Sequence, residues 1–253
     1  MRSTPHAGAA RRFQPSSHPI YETPGIEFIP HRSGLHTRTG NPLPCSGELM
    51  IWRLSASWDY LSCEEASLWL SRQETAHMRQ YRNPSFSRRY AIARASLRHL
   101  LADVLGKAPQ AIELTDNDHG QPMLREPDLA QPLALRVAFA GIWITIGMSA
   151  DAFGLETIMP GAACESAAPL ARGRVQADLD CARTACASQL LAQPVDLGDR
   201  LRTQRIGAVS VHQIERALFK VIDLPMPGRI SAAAATPLST STIHAYGWLS
   251  RRF

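Results

Sequence analysis

The chain of 253 residues carries a formal charge of +5, with 45% hydrophobic and 7% aromatic side chains. That content suits one large domain or two small ones with a real core. It holds no apolar run of about 18 residues that would cross a membrane. The mild basic excess fits nucleic acid, an acidic protein or a phosphorylated small molecule, and does not choose among them.

Residues 1–46 are rich in Pro, Ser, Gly, His and Arg and lack sustained periodicity, so they are expected to be disordered or loosely attached. No apolar h-region of a secretory leader is present there. Cys45, Cys63, Cys164, Cys181 and Cys186 form no CxxC pair. An odd count without metal spacing predicts free thiols in a reducing cytoplasm.

"ELMIWRL", Glu48 to Leu54, reads as the first strand. "SCEEASLWLSRQETAHMRQY" reads as one or two helices, with Ser62 and Glu65, then Ser71 and Glu74, in capping-box spacing. Asn83-Pro84-Ser85 interrupts the pattern. "SRRYAIARASLRHLLADVLG", Ser87 to Gly106, then predicts a helix closed by its glycine. Ala93, Leu97, Leu100 and Val104 form its apolar stripe, widened by Tyr90 and Leu101. Arg89 and Arg94 border that stripe and Arg98 lies further round. One reading is a solvated basic face. The other joins these arginines to Arg79 and Arg82 as a grip for several phosphates, since guanidinium groups suit multidentate phosphate recognition.

"AIELTDNDHGQPML" predicts a strand followed by a polar turn through Asn117 to Gly120, with His119 as a turn residue. Residues 133–158 hold two or three β-prone runs, with Trp143 in the core. "ESAAPLARGRVQADLDCARTACASQLLA" is expected to be helical. No histidine motif lies near Cys181 or Cys186, which argues against a nucleophile there. "SVHQIERALFKVIDL", Ser210 to Leu224, predicts an amphipathic helix ended by Pro225 and Pro227, and the rest holds terminal strands. No internal repeat or heptad pattern is present.

The stretch "LSRQETAHMRQYRNPSFSRRYAIARASLRHLLADVLG…IELTDNDHGQPML" resembles the 4′-phosphopantetheinyl transferases of the surfactin and enterobactin class, over Gly47 to Leu124. Those proteins show a basic segment, an arginine-bearing helix and a "GKP" turn. The resemblance implies that Arg82 and Arg89 contact the phosphates of coenzyme A. Gly120, Gln121 and Pro122 stand at the "GKP" turn, with Gln121 in place of the lysine. Further on, "FGLETIM" is similar to the enterobactin-type "GIDIExIM". With a two-residue gap Glu156 matches the second acid of that metal motif; without it Glu156 falls on the first acid and Ile158 on the second. Ala138-Phe139-Ala140 stands where the family has a Ser-His pair. "QIERALFKVIDLPMPG" resembles the third motif: Lys220 matches its final lysine, Arg216 the metal-binding glutamate and Glu215 the lysine before it, although a small shift would restore Glu215 as the acid.

The resemblance implies an α+β pseudo-dimer of two similar subdomains, with 47–135 carrying the coenzyme A helix and 136–253 carrying degenerate metal and catalytic motifs. It implies transfer of 4′-phosphopantetheine from coenzyme A to a serine of an acyl or peptidyl carrier protein. Mg²⁺ would sit on Glu156 and Glu215, with Lys220 or Glu215 as base. A monomeric cytoplasmic enzyme is expected, with an acidic carrier protein as partner and neither membrane nor nucleic acid. The rivals are an impaired homologue that binds coenzyme A or a carrier protein, and a basic nucleic-acid-binding protein.

Overall fold

The computed structural model describes residues 25–32, 43–56, 61, 63–126, 129, 131–162, 174–197, 205–206 and 208–249. In chain order these form β1 (Glu27–Arg32), β2 (Glu48–Ser55), α1 (Cys63–Trp69), α2 (Arg72–Gln80), α3 (Pro84–Leu105), β3 (Leu114–Asp116), β4 (Pro122–Leu124), β5 (Ala134–Ala140), β6 (Trp143–Ser149) and β7 (Gly154–Ile158). Then follow α4 (Arg174–Leu191), β8 (Arg205–Ile206), β9 (Val209–Ile214), β10 (Ala217–Asp223), β11 (Ser231–Pro237) and β12 (Thr242–Leu249). The class is α+β, as expected. One sheet has the order β1-β12-β2-β6-β5 and another β7-β11-β10-β9-β8, with β3 and β4 as a separate pair.

Alternation along the strands builds the layers. On β2, Met50, Trp52 and Leu54 pack with Ile92, Leu97 and Leu101 of α3. The intervening Leu49 and Ile51 pack against Phe153, Leu155 and Ile222 of the second sheet and its lead-in. Beyond that sheet, Phe219, Val221, Ala233 and Ala235 pack against Ala182, Cys186 and Ala187 of α4. The order of layers is therefore α3, first sheet, second sheet, α4. Both sheets share a connectivity: a strand (β2 or β7), a long helix (α3 or α4), then a later antiparallel pair (β5–β6 or β10–β11) whose second strand lies beside the first. Small residues set the spacing under α4. A Cβ on Gly154 would lie 1.8 Å from the Cys186 carbonyl oxygen.

Several expectations are corrected. Glu27–Arg32 lies within the segment expected to be loose, yet it pairs parallel with β12. The boundary placed at 135/136 falls inside β5, and β5, β6 and β12 all belong to the first sheet. Ser210–Leu224 is a hairpin, not a helix. Ile214 pairs with Ala217, and Glu215 takes the left-handed conformation at φ 53 in the turn between them. Its apolar residues satisfy both periods, and the β-branched Val211, Ile214, Val221 and Ile222 favour strands.

α3 begins at Pro84, with the Asn83 Oδ1 accepting the Ser85 N–H at 2.9 Å, and ends at Gly106 with φ 64. Asn83-Pro84 is thus a helix start, because proline suits the first helical position. Arg89 consequently sits in the second turn. Cys181 is disulfide-bonded, whereas Cys45 and Cys186 are free. The expectation of five free thiols fails because an odd count still allows a bridge. Ser62, the first cap expected, lies outside the described residues. Among the described residues no helix is long and apolar enough to cross a membrane.

Candidate functional site

The arginines of α3 divide into two groups. Ser71 and Glu74 form the expected capping box of α2: the Ser71 N–H donates to Glu74 Oε2 at 2.8 Å, and the Glu74 N–H donates to Ser71 Oγ at 3.2 Å. The same carboxylate accepts from Arg94 Nε at 2.7 Å and from Arg98 Nε at 2.8 Å. Arg94 also reaches Asp116 at 2.7 Å, and Arg98 donates to the Pro109 and Ile112 carbonyls at 3.2 and 2.5 Å. Arg94 and Arg98 are 4% and 2% exposed, so they are structural and not part of a solvated face. Burial alone would raise the Glu74 carboxyl. The Ser71 N–H and the two guanidinium groups outweigh it and hold the carboxyl below its ordinary value. Burial, with smaller effects from neighbouring charges, pushes Tyr90 up to about 12.

Arg89 belongs to the second group. Its Nη1 donates to the Gly141 carbonyl at 2.8 Å, and its guanidinium lies 5.0 Å from the ring centres of both Phe86 and Phe139. Burial lowers its pKa, with Tyr81 acting in the opposite sense. Arg82 precedes the helix and is exposed. The 117–122 turn approaches the same strand. Asn117 Oδ1 accepts the His119 and Gln121 N–H groups at 3.0 and 2.9 Å, and Gly120 has φ 70. The Gln121 amide accepts the Val137 N–H at 2.9 Å and donates to the Val137 carbonyl at 3.3 Å, replacing a strand partner. Pro122 follows, buried at the start of β4. Val137 and Phe139 lie two positions apart on β5, so the contacts of Gln121 and Arg89 are about 7 Å apart. The structure thus brings Arg89, Gly120, Gln121 and Pro122 to β5. Sequence reasoning missed Phe86 and Gly141 beside Arg89. The aromatic three residues before Arg89 on a helix was the available signal for the first.

Glu156, Glu215 and Lys220 are not brought together. Glu156 on β7 is in register with Ala233, which is in register with Asp223. All three face α4, where Glu156 Oε2 accepts from Gln189 Nε2 at 3.2 Å and Oε1 accepts the Thr157 N–H at 3.0 Å. Burial pushes the Glu156 carboxyl up, against those two hydrogen bonds. Arg183 of α4 grips Asp223 through two hydrogen bonds, of 2.7 and 2.5 Å, and Asp180 through one of 2.9 Å. Glu215 sits in the turn at the far end of β10, and the 7 residues of that strand separate it from the Glu156 row by about 20 Å. Lys220 alternates with Phe219 and Val221 and so faces the other side of the sheet. It is 4% exposed, and its Nζ donates to the Thr240 carbonyl at 2.6 Å.

Mg²⁺ binds its oxygen ligands at about 2.0–2.1 Å. Glu156 and Glu215 cannot share such an ion across their separation. Among the described residues no group of three His, Cys, Asp or Glu is placed to hold a metal. No protein-family model and no curated protein matches the chain. Chemically, the β5 site offers the Arg89 guanidinium beside two aromatic faces, which suits an anion attached to a planar or apolar body.

Proposed function

We propose that the chain is a coenzyme A-binding homologue of the 4′-phosphopantetheinyl transferases that does not carry out the transfer. Arg82 and Arg89 would meet the phosphates, with Gly120 to Pro122 forming the neighbouring wall. The repeated strand–helix–hairpin connectivity supports the pseudo-dimer implied by the resemblance. The net charge of +5 suits an acidic carrier protein as a second partner. One observation carries the non-catalytic part: Lys220 and Glu156 point to opposite faces of one sheet, and Glu215 stands at its far end. The residues expected to hold Mg²⁺ do not fit the ion, so no step is assigned to it.

The test is incubation with coenzyme A, Mg²⁺ and apo acyl carrier protein, read by intact mass, beside calorimetry of coenzyme A. Binding without carrier modification is expected. Arg89→Ala should weaken that binding about ten- to a hundredfold, from about 1.5–3 kcal/mol per charge-assisted contact. A phosphopantetheinylated carrier protein would restore the transferase reading. Failure of the wild type to bind coenzyme A would remove both.

A further inference from the structure

Among the described residues, Asn117, the strand β4, Glu126, Leu129 and residues 132–136 line a cavity of about 520 Å³, within the range of about 300–1,000 Å³ usual for small-molecule sites. Met123, Leu124, Pro132, Leu133 and Leu135 give it apolar walls, and Arg136 stands among them. Arg136 Nη1 donates to the Leu135 carbonyl at 3.1 Å. Its Nε is buried without a hydrogen-bond partner, and no carboxylate pairs with it among the described residues. Burial lowers its pKa. Glu126 also lines the cavity, but its Oε2 is taken by Lys107 Nζ at 2.5 Å.

Arg136 is half-buried with no carboxylate partner among the described residues, and a carboxylate is the group that suits its remaining guanidinium donors. An added peptide strand is a poor occupant. Gln121 already takes both backbone groups of Val137, and Arg136 takes the Leu135 carbonyl, so the edge of β5 is blocked there. We propose that this cavity binds an apolar monocarboxylate, with its carboxylate on Arg136 and its hydrocarbon body against the leucine-rich wall. Pro122 lies on this cavity as well as in the wall proposed for coenzyme A, but the proposal does not rest on that reading.

Calorimetry on the full chain with decanoate and with decanol tests the proposal. Decanoate should bind about ten- to a hundredfold tighter than decanol, the difference that one charge-assisted contact supplies. Arg136→Gln should bring decanoate down to the level of decanol while leaving decanol unchanged. Leu133→Trp, which narrows the cavity and spares the arginine, should weaken both, with circular dichroism confirming a folded chain. The proposal is overturned by no saturable decanoate binding, by equal affinity for the two probes, or by indifference to a folded Leu133→Trp.

Discussion

Replacing Glu74 by alanine should be among the most damaging single changes in the first half of the chain. The carboxylate is 3% exposed and holds two buried guanidinium groups as well as the Ser71 N–H. Removing one partner of a buried ion pair costs about 3–5 kcal/mol, because the other charge stays buried. Arg94 keeps Asp116 and Arg98 keeps two carbonyls, which argues for the lower part of that range. A domain of this size has about 5–15 kcal/mol in total. At about 2–4 °C per kcal/mol, the melting temperature should fall by about 6–20 °C.

Thermal melting by circular dichroism measures this directly, and the pH dependence adds a second signature. The folded carboxyl lies below its ordinary value of 4.5, so its contribution is complete above that pH and is lost as pH falls through the folded value. The gap between wild type and Glu74→Ala should therefore be constant near neutrality and narrow only below about pH 4.5. The triple change Glu74→Met, Arg94→Met, Arg98→Met should recover much of the loss, since apolar replacement of a whole buried cluster is often neutral. A Glu74→Ala protein that melts with the wild type would refute the burial of these charges.

Other positions give sharper local tests. Gly154→Ala should cost more than the about 1–3 kcal/mol of ordinary overpacking, because the obstacle is the Cys186 backbone, as urea unfolding would reveal. Gln121→Ala should lose about 1–3 kcal/mol through the exposed or unpaired Val137 groups, and Gln121→Lys should not restore it, since an ammonium cannot accept the Val137 N–H. Burial, then Arg183, lowers the pKa of His212, so stability should be complete above 6.5 and decline as pH falls through the folded value. His212→Gln should reduce that slope in pH-dependent melting, leaving the part due to His31, which is lowered by burial and by His244.

What the sequence disclosed was local. The Ser71–Glu74 box and the Gly106 stop need only a few neighbouring residues, and both are present in the structure. The fate of Arg94 and Arg98 depends on a carboxylate 20 and 24 residues away, and no helical wheel contains it. The pairing of Glu27–Arg32 with β12 joins distant parts of the chain, and composition alone marked that segment as loose. At the β5 site, Arg89 and the 117–122 turn were legible as features. That Phe139 and Val137 would gather them was not, because the link is made by a strand whose register is set by β6.

The hairpin of β9 and β10 decides how far the catalytic part of the resemblance can be carried. In a helix, a small adjustment would let Lys220 and Glu215 share a cleft. In a strand, adjustment comes in whole residues, and a slip of one residue turns every side chain over. Bringing Lys220 to the α4 face would turn Phe219 and Val221 away from Ala182 and Cys186. Each such side chain contributes about 1.5–3 kcal/mol by burial, and the slip would place a charge where they had been. Lys220 is therefore fixed on the side opposite Glu156, with its amine on the Thr240 carbonyl and its pKa lowered by burial. Lys107 and Lys220 are the two lysines of the chain, which makes the point directly measurable. Under reductive methylation of the native protein, Lys107, with 41% of its side chain exposed, should react promptly. Lys220 should react only after denaturant is added, and peptide mass mapping would separate the two. Prompt methylation of Lys220 in the folded chain would mean that its amine reaches solvent, and the argument against a catalytic lysine would fail with it.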